Sequence, residues 1–533
     1  MSNASSAATP KEYHRMALLI ASFMTLIAAG VGFGVRAGIL NDWAVRYGFT
    51  KVELGTITGG GLVGFGVTII FFSFLADNLL GYKKLLVLAF ALHVLSVIIT
   101  LAATPVYGFA GKEGTYWCLY IGVFIFALAN GVCEAVINPL VATLFPKEKT
   151  HYLNILHAGW PAGLIIGGII GFLFCGEGAF ITHLPWEVPL ALYMVPTIIY
   201  GIMVVKEAFP PSEAAAAGVT TKEMLLQFLS PLLLFLFVIH AMVGYVELGT
   251  DSWITNIMEN VISKYAFLLF IYTSSIMFVL RFFAGPIVHK INPLGLLFVC
   301  SIFGCTGLYW LGAAQTGWAI VAAATVYGLG KTFFWPTMLG VVGERFPRGG
   351  AITMGVMGGI GMLSAGLLGG PGIGYKQDYF ATQKMEQLDD ALFQQYRSAD
   401  KKSFLFFPAV YALNGAKVGV LKDDGAELAR RTEIETKDDT LSPETKELNA
   451  WWAANKPANE EQYKHEVEVV EEANIFGGRM ALKWTAIVPA TMGVCYLLLV
   501  IYFQMQGGYK QVVLHGEESE TEQYTGGVEG PVE

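Results

Sequence analysis

The sequence predicts an all-α polytopic membrane protein, with twelve transmembrane helices in two pseudo-symmetric six-helix halves. Three observations predict it. Of 533 residues, 54% are hydrophobic and only 14% charged, against about 25% charge in an ordinary soluble domain, and mean hydropathy is +0.54. Apolar runs of roughly 20 residues, the length that crosses a bilayer as a helix, recur along the chain. Finally, the chain repeats itself: residues 126–147 (FALANGVCEAVINPLVATLFPK) lie over 327–348 (YGLGKTFFWPTMLGVVGERFPR) at an offset of 201 without a gap. The match is weak, yet two related halves are a common plan for membrane carriers.

In chain order the spans fall at 16–40, 53–76, 83–104, 116–144, 151–175, 187–206, 231–256, 265–288, 294–314, 317–343, 350–372 and 480–505. An even count puts both termini on one side. Lys11, Arg15, Lys83, Lys84, Lys147, Lys149, Lys206, Lys222, Lys290, Arg345, Arg348 and Lys510 then share that side, and the opposite short loops hold Arg46, Lys51, Lys112 and Lys264. Twelve cations against four orient both termini to the cytoplasm, and the compact, bacterial look of the chain points to a bacterial inner (plasma) membrane. The apolar run after Lys11 and Arg15 lacks a small-residue cleavage site, so it reads as a retained first span.

The first half covers 1–206. Residues 207–230 form a cytoplasmic linker, broken at Pro210-Pro211 and Ala-rich beyond them. Spans seven to eleven occupy 231–372, and 373–478 is an extracytoplasmic insert before span twelve at 479–506. Within that insert, Lys376 to Gly478 holds 13 Lys and Arg against 20 Asp and Glu, so its −7 supplies most of the chain's net −8. The acidity belongs to the insert and says little about a solute. Helices are expected near 383–397 and 459–472, with a short strand pair within 404–421. The Gly- and Glu-rich tail, 507–533, is expected to be a disordered cytoplasmic segment. Six cysteines without a C-x-x-C pair make a disulfide framework or metal site unexpected. No basic face for nucleic acid is present.

The centre of interest is the fourth span. Asn130, Glu134 and Asn138 recur at four-residue spacing, which stacks them along one side of a helix. A carboxylate in hydrocarbon costs at least about 2.5–3.5 kcal/mol, so it faces a bundle interior or a watery cavity. Glu134 then reads as a proton carrier or as a structural hydrogen-bonding acid. Counting outward from the turn at Lys147-Glu148, Asn138 and His157 lie at equal depth on antiparallel helices. His157, on one face with Asn154 and Pro161, is expected to reach Asn138 or Glu134, to tune proton release or simply to satisfy the core. Asn138 and Asn154 suit hydroxyl groups, and interhelical bonding explains them almost as well.

Charged residues mark other spans. Arg36 in the first is expected either to grip a carboxylate or phosphate or to pair with a buried acid, Glu247 being the candidate across the cavity. Glu247 shares a face of span seven with His240, Gly244 and Asp251. In the repeat, Lys331 overlies Asn130 and Trp335 overlies Glu134; the lysine reads as a cavity charge, the tryptophan as a sugar-stacking ring or core packing. The glycines of span eleven permit close helix approach and bending.

A second offset, 212, sets Val31-Gly32-Phe33 over Val243-Gly244-Tyr245 and Asp77 over His289. Ser73-Phe74-Leu75-Ala76-Asp77 with Gly81-Tyr82-Lys83-Lys84 resembles the loop signature of the major facilitator superfamily, and Gly285-Pro286-Ile287-Val288-His289-Lys290 its second-half copy. In both, the pattern is degraded: Ser73 replaces the leading glycine, one extra residue precedes Gly81, and His289 stands for the acid. The resemblance implies a gating latch at Asp77, Lys83, Lys84 and His289; Arg281 resembles the arginine often found before this loop. Glu134-Ala-Val-Ile-Asn138-Pro139 with Leu153-Asn154 resembles the fucose/galactose/glucose–proton symporters. That implies proton and sugar handling by Glu134. One departure is that those symporters use an acid in span one where this chain reads Val35-Arg36-Ala37; an intramembrane arginine there instead resembles superfamily members that carry organic anions.

The sequence therefore points to a secondary transporter without cofactors, driven by a proton gradient, whose partners are a small-molecule solute and the lipid bilayer. Sugar symport, organic-anion symport through Arg36 and Lys331, and a transporter-like sensor with a partner at the insert stay open. No nucleophile–base pair, HExxH or phosphate-binding GxxxxGK[ST] motif points to an enzyme or an ATP-driven pump.

Overall fold

The structure is a computed structural model that describes residues 13–49, 51–59, 61–176, 179–262, 266–437, 441–512, 514 and 524–525. Lys11 and Lys264, and most of the tail beyond 514, lie outside them. The first half comprises spans at Arg15–Tyr47, Glu53–Ala76, Tyr82–Leu101, Ala103–Leu144, Lys149–Phe174 and Glu187–Lys206. Gly111, at φ 63°, breaks the fourth, so the spanning part begins after it. The linker carries the short helices Glu213–Ala216 and Thr221–Leu226, the second closed by a Thr220/Glu223 capping box.

In the second half, span seven runs through Pro231–Gly244, a π-helical turn at Tyr245–Gly249 and Thr250–Ile262. Span eight is Ala266–Arg281 and span nine follows Asn292 within Ala284–Ala313. Span ten is Gly317–Lys331 and Phe334–Arg345, interrupted between them. Span eleven is Gly350–Ser364, a second π-helical turn at Ala365–Gly369, and Gly370–Leu388. Span twelve is Ile487–Met505. Ten of the described helices are long and apolar enough to cross a membrane. The short eighth and interrupted tenth complete twelve.

Tyr13–His14 pairs in parallel with Tyr524–Thr525, so both ends of the described chain leave on one face, called here the terminal face. Spans one and five meet backbone to backbone, since a Cβ on Gly163 would lie 2.5 Å from the Ile27 carbonyl. Spans seven and eleven do the same: a Cβ on Gly244 would lie 2.0 Å from the Gly361 carbonyl.

Several boundaries differ from the hydropathy pattern. Span eight stops at Arg281 rather than near 288, because the chain turns at Phe283 and residues after it start a new helix. Span eleven does not end at 372: its helix runs on to Leu388, and Glu460–Thr485 leads into span twelve. These two extensions pack against each other and carry the insert beyond the spans. Hydropathy marks where lipid ends, not where the helical hydrogen bonding ends. The helix expected over 383–397 divides at Asp389, which caps Asp390–Tyr396 by accepting from the Leu392 N–H. The strand pair is Arg397–Lys402 with Val410–Leu413, antiparallel, earlier than expected because Asn414 caps a helix at Gly415–Lys422.

The start of the tail is ordered, contrary to its polar composition. The Tyr509 hydroxyl donates to Glu344 Oε2 at 2.7 Å, the Val512 N–H donates to the Glu344 carbonyl, and Gln511 reaches the Pro146 carbonyl. Leu514 is buried with Ala214, Val219, Met224 and Ile352.

Candidate functional site

Five spans bring their polar residues to one buried network at the join of the halves. Asn138 Nδ2 donates to Glu134 Oε2 at 2.7 Å and to the Glu134 carbonyl at 3.0 Å. That turns its Oδ1 toward span five, where His157 Nε2 lies 2.8 Å away. With the amide so placed, Nε2 is the protonated ring nitrogen. The His157 carbonyl accepts from Arg281 Nη1 at 2.6 Å, across the boundary between the halves. Arg281 Nε donates to the Thr332 carbonyl at 2.7 Å, a group freed by the interruption of span ten. Its Nη2 donates to Glu247 Oε1 at 3.0 Å, and Glu247 Oε2 accepts the Trp335 N–H at 3.2 Å. Glu247 belongs to the π-helical turn of span seven, a distortion that often marks a functional position.

Every member is buried, and charge matching separates them. Arg281 pairs with Glu247; Lys331 Nζ meets both oxygens of Asp251 at 2.6 and 2.7 Å. Glu134, 5% exposed, has a neutral amide as its partner, and no described cation forms an ion pair with it. A buried ionised carboxylate without a cation is costly, so the site favours a proton on Glu134 or a positive ligand beside it.

Arg36 and Glu247 do not meet, a correction to the expected pairing. Arg36 lies inside the first half, with its guanidinium 3.9 Å over the Phe126 ring and its Nη1 donating to the Gly32 carbonyl at 3.1 Å. Among the described residues no carboxylate pairs with it. Asn130 also parts from its neighbours in span four: its Oδ1 takes the His93 ring at 3.1 Å, and His93 reaches the Tyr200 hydroxyl at 2.7 Å. Each four-residue step overshoots a helical turn by about 40°, so the stripe wraps by about 80° between Asn130 and Asn138. Asn154 bridges the halves through the Thr337 hydroxyl at 3.1 Å, leaving its buried Oδ1 without a partner among the described residues. The Trp335 ring packs on His240 with centroids 4.7 Å apart, and both nitrogens of that buried imidazole are without a hydrogen-bond partner among the described residues.

The terminal face is held shut by a second set of contacts. Asp77 Oδ2 accepts the Ala351 N–H at 2.8 Å and so sits at the start of span eleven, joining the halves. At the mirror-related junction the roles are reversed: His151 of span five, not His289 of the loop, supplies the side chain, accepting the Gly285 N–H at 3.0 Å. His289 is an exposed residue 3.9 Å from Glu148. Lys83 binds the Val205 and Glu207 carbonyls, pinning the linker to its own half, and Lys84 is exposed.

Sequence reasoning passed over three contributors to this closure. Lys149, fully buried, grips Glu213 of the linker at 2.6 Å and the Gly343 carbonyl at 3.2 Å. Glu344 accepts from the Thr150 hydroxyl at 2.5 Å. Tyr509 completes it from the tail. An acid within the second copy of the repeat was the available signal for Glu344; Lys149 read only as a topological charge.

A two-half bundle of twelve spans with an ionisable network at its waist defines a membrane transporter, not an enzyme. The profile of the Major Facilitator Superfamily matches residues 14–370, and the chain belongs to that family as an integral multi-pass membrane protein. Its fold is similar to that of FucP in the outward conformation (17% identity, TM-score 0.54, covering 68% of this chain and 92% of that one). It is also similar to the proton:xylose symporter XylE bound to 6-bromo-6-deoxy-D-glucose (13%, 0.56, 71% and 89%). A bacterial homolog of the human lysosomal transporter Spinster, inward-facing and unoccupied, covers more of the chain (14%, 0.56, 93% and 98%). No curated protein matches the sequence.

Proposed function

We propose that the protein is a proton-coupled symporter of a sugar or related polyhydroxylated solute, working by alternating access. The observation that carries this is Glu134: a buried carboxyl that forms no ion pair with a described cation, linked through Asn138 and His157 to the Arg281–Glu247 pair of the other half. Protonation of Glu134 removes the cost of its charge and turns one of its acceptor oxygens into a donor beside the Asn138 amide, so proton binding is coupled to the contact that joins the halves. Asn138, Asn154 and Trp335 supply amides and a ring for a hydroxylated solute. Two of the structurally similar proteins are described as proton symporters, one of fucose and one of xylose. Both termini are cytoplasmic on this reading, in an inner membrane, and Asp77, Lys149 and Glu344 form the cytoplasmic gate. No cofactor is needed beyond the proton gradient.

Uptake into proteoliposomes under an imposed pH gradient, with labelled sugars and carboxylates, tests it. Glu134→Gln should abolish accumulation of a sugar while keeping exchange. One structural observation favours a second reading, organic-anion transport: Arg36 is a buried guanidinium without a described carboxylate, a place where an anion would be stabilised. Movement of carboxylates alone, unaffected by Glu134→Gln and lost in Arg36→Met, would decide for it.

A further inference from the structure

The hairpin of the insert ends in the sequence Lys401-Lys402-Ser403-Phe404-Leu405-Phe406-Phe407-Pro408. The chain reverses in a turn in which the Phe407 N–H donates to the Phe404 carbonyl at 3.0 Å, with Leu405 at φ 51°. Leu405, Phe406 and Phe407 are 65%, 86% and 43% exposed, an apolar cluster that a water-facing loop does not favour. Lys401 and Lys402 are exposed beside it.

Its height is fixed by span eleven. The Tyr375 hydroxyl donates to the Pro408 carbonyl at 2.8 Å, the Tyr375 ring lies 5.7 Å from that of Phe407, and Phe404 packs on Gly372. One residue on, Lys376 Nζ donates to the Thr485 hydroxyl at 3.2 Å, just before span twelve begins at Ile487. The loop thus returns from the insert to the level at which two spans leave the hydrocarbon. At the same level Trp484 is half exposed and stacks with Phe380. Aromatic rings with flanking lysines are the composition of a bilayer interface, where rings sit among headgroups and ammonium groups reach phosphates.

We propose that loop 403–409 is a membrane anchor: Leu405, Phe406 and Phe407 enter the leaflet on the insert's side, with Lys401 and Lys402 at its phosphates. The insert is thereby tied to the bilayer through an element other than the two helices that carry it. This holds whatever the transported solute.

The test is a nitroxide on Phe406→Cys in the full chain, reconstituted in phosphatidylcholine/phosphatidylglycerol vesicles. The six native cysteines are buried or half-buried, and unsubstituted protein treated alike gives the background. Collision with oxygen and with a water-soluble nickel chelate is compared with the same label on Ala453→Cys, an exposed position of the insert helix Pro443–Asn455. An oxygen-to-nickel ratio several-fold higher at Phe406 than at Ala453 is expected. Equal ratios, meaning a loop in water, would overturn the proposal. So would shielding from both reagents, which would mean contact with a second copy.

Discussion

Arg281 donates to Glu247 at 3.0 Å between spans eight and seven, while its other terminal nitrogen holds the His157 carbonyl of the opposite half at 2.6 Å. One guanidinium therefore neutralises a buried acid and ties the halves together. Taking away one partner strands the other charge in the core, a loss of about 3–5 kcal/mol. Arg281→Met and Glu247→Gln should each lower the unfolding midpoint in detergent and abolish counterflow. The double variant should recover part of the stability but not the counterflow. Additive losses in that double-mutant cycle would show that the two side chains are energetically independent.

Spans seven and eleven cross through Gly244, whose missing Cβ is replaced by the Gly361 carbonyl. Gly244→Ala should cost about 1–3 kcal/mol through overpacking, read as a lower thermal midpoint. Gly108→Ala, where a Cβ meets nothing within 4 Å, is the control and should be neutral or stabilising. Equal effects at both positions would contradict this account of the crossing.

How far the sequence carried the structure depends on the distance over which a contact acts. Asn138 and His157 flank one tight turn, so counting residues from Lys147-Glu148 sufficed to bring them together. Arg36 and Glu247 are separated by the whole first half, and their meeting depended on the rotation of each span, which spacing does not encode. Side-chain rotation decided this: Arg36 turned into its own half, over Phe126, and Arg281 took the acid. The ordered start of the tail was hidden for another reason. Its contacts at Glu344 and Pro146 are made by one tyrosine hydroxyl, one glutamine amide and one backbone N–H, for which a polar composition gives no sign.

The insert has its own acid sensitivity. Burial pushes the Glu435 carboxyl up, but Arg431, the Ser442 N–H and the Thr445 hydroxyl outweigh it and hold it down at about 2. A depressed carboxyl pKa contributes stability that is complete above its ordinary value near 4.5 and is lost as pH falls toward about 2. Hydrogen exchange at the Ser442 amide, which donates to Glu435 at 3.0 Å, should lose protection across that window once intrinsic rates are corrected. In Glu435→Gln the protection should be lower at neutral pH and nearly flat with acid. A wild-type profile that stays flat from pH 5 to 2 would remove Glu435 from this role.

The terminal face has a narrow cleft lined by Pro139, Ala142, Ser212, Gly343 and Met354, where both halves and the linker meet. The tail stands beside it: Tyr509 donates to the Glu344 carboxylate that also holds Thr150 of the opposite half. Removing residues 507–533 takes away that donor, the Gln511 contact with Pro146 and the packing of Leu514, while leaving every span intact. The truncated protein should therefore open this face more often. A cysteine at Ala142, 4% exposed in the closed form, should react several-fold faster with a water-soluble maleimide after truncation. Tyr509→Phe should give an intermediate rate, because it removes one hydrogen bond and keeps the packing. If labelling of Ala142→Cys is unchanged in both, closure rests on Asp77, Lys149 and Glu344 alone, and the tail merely lies against a gate that the spans hold shut.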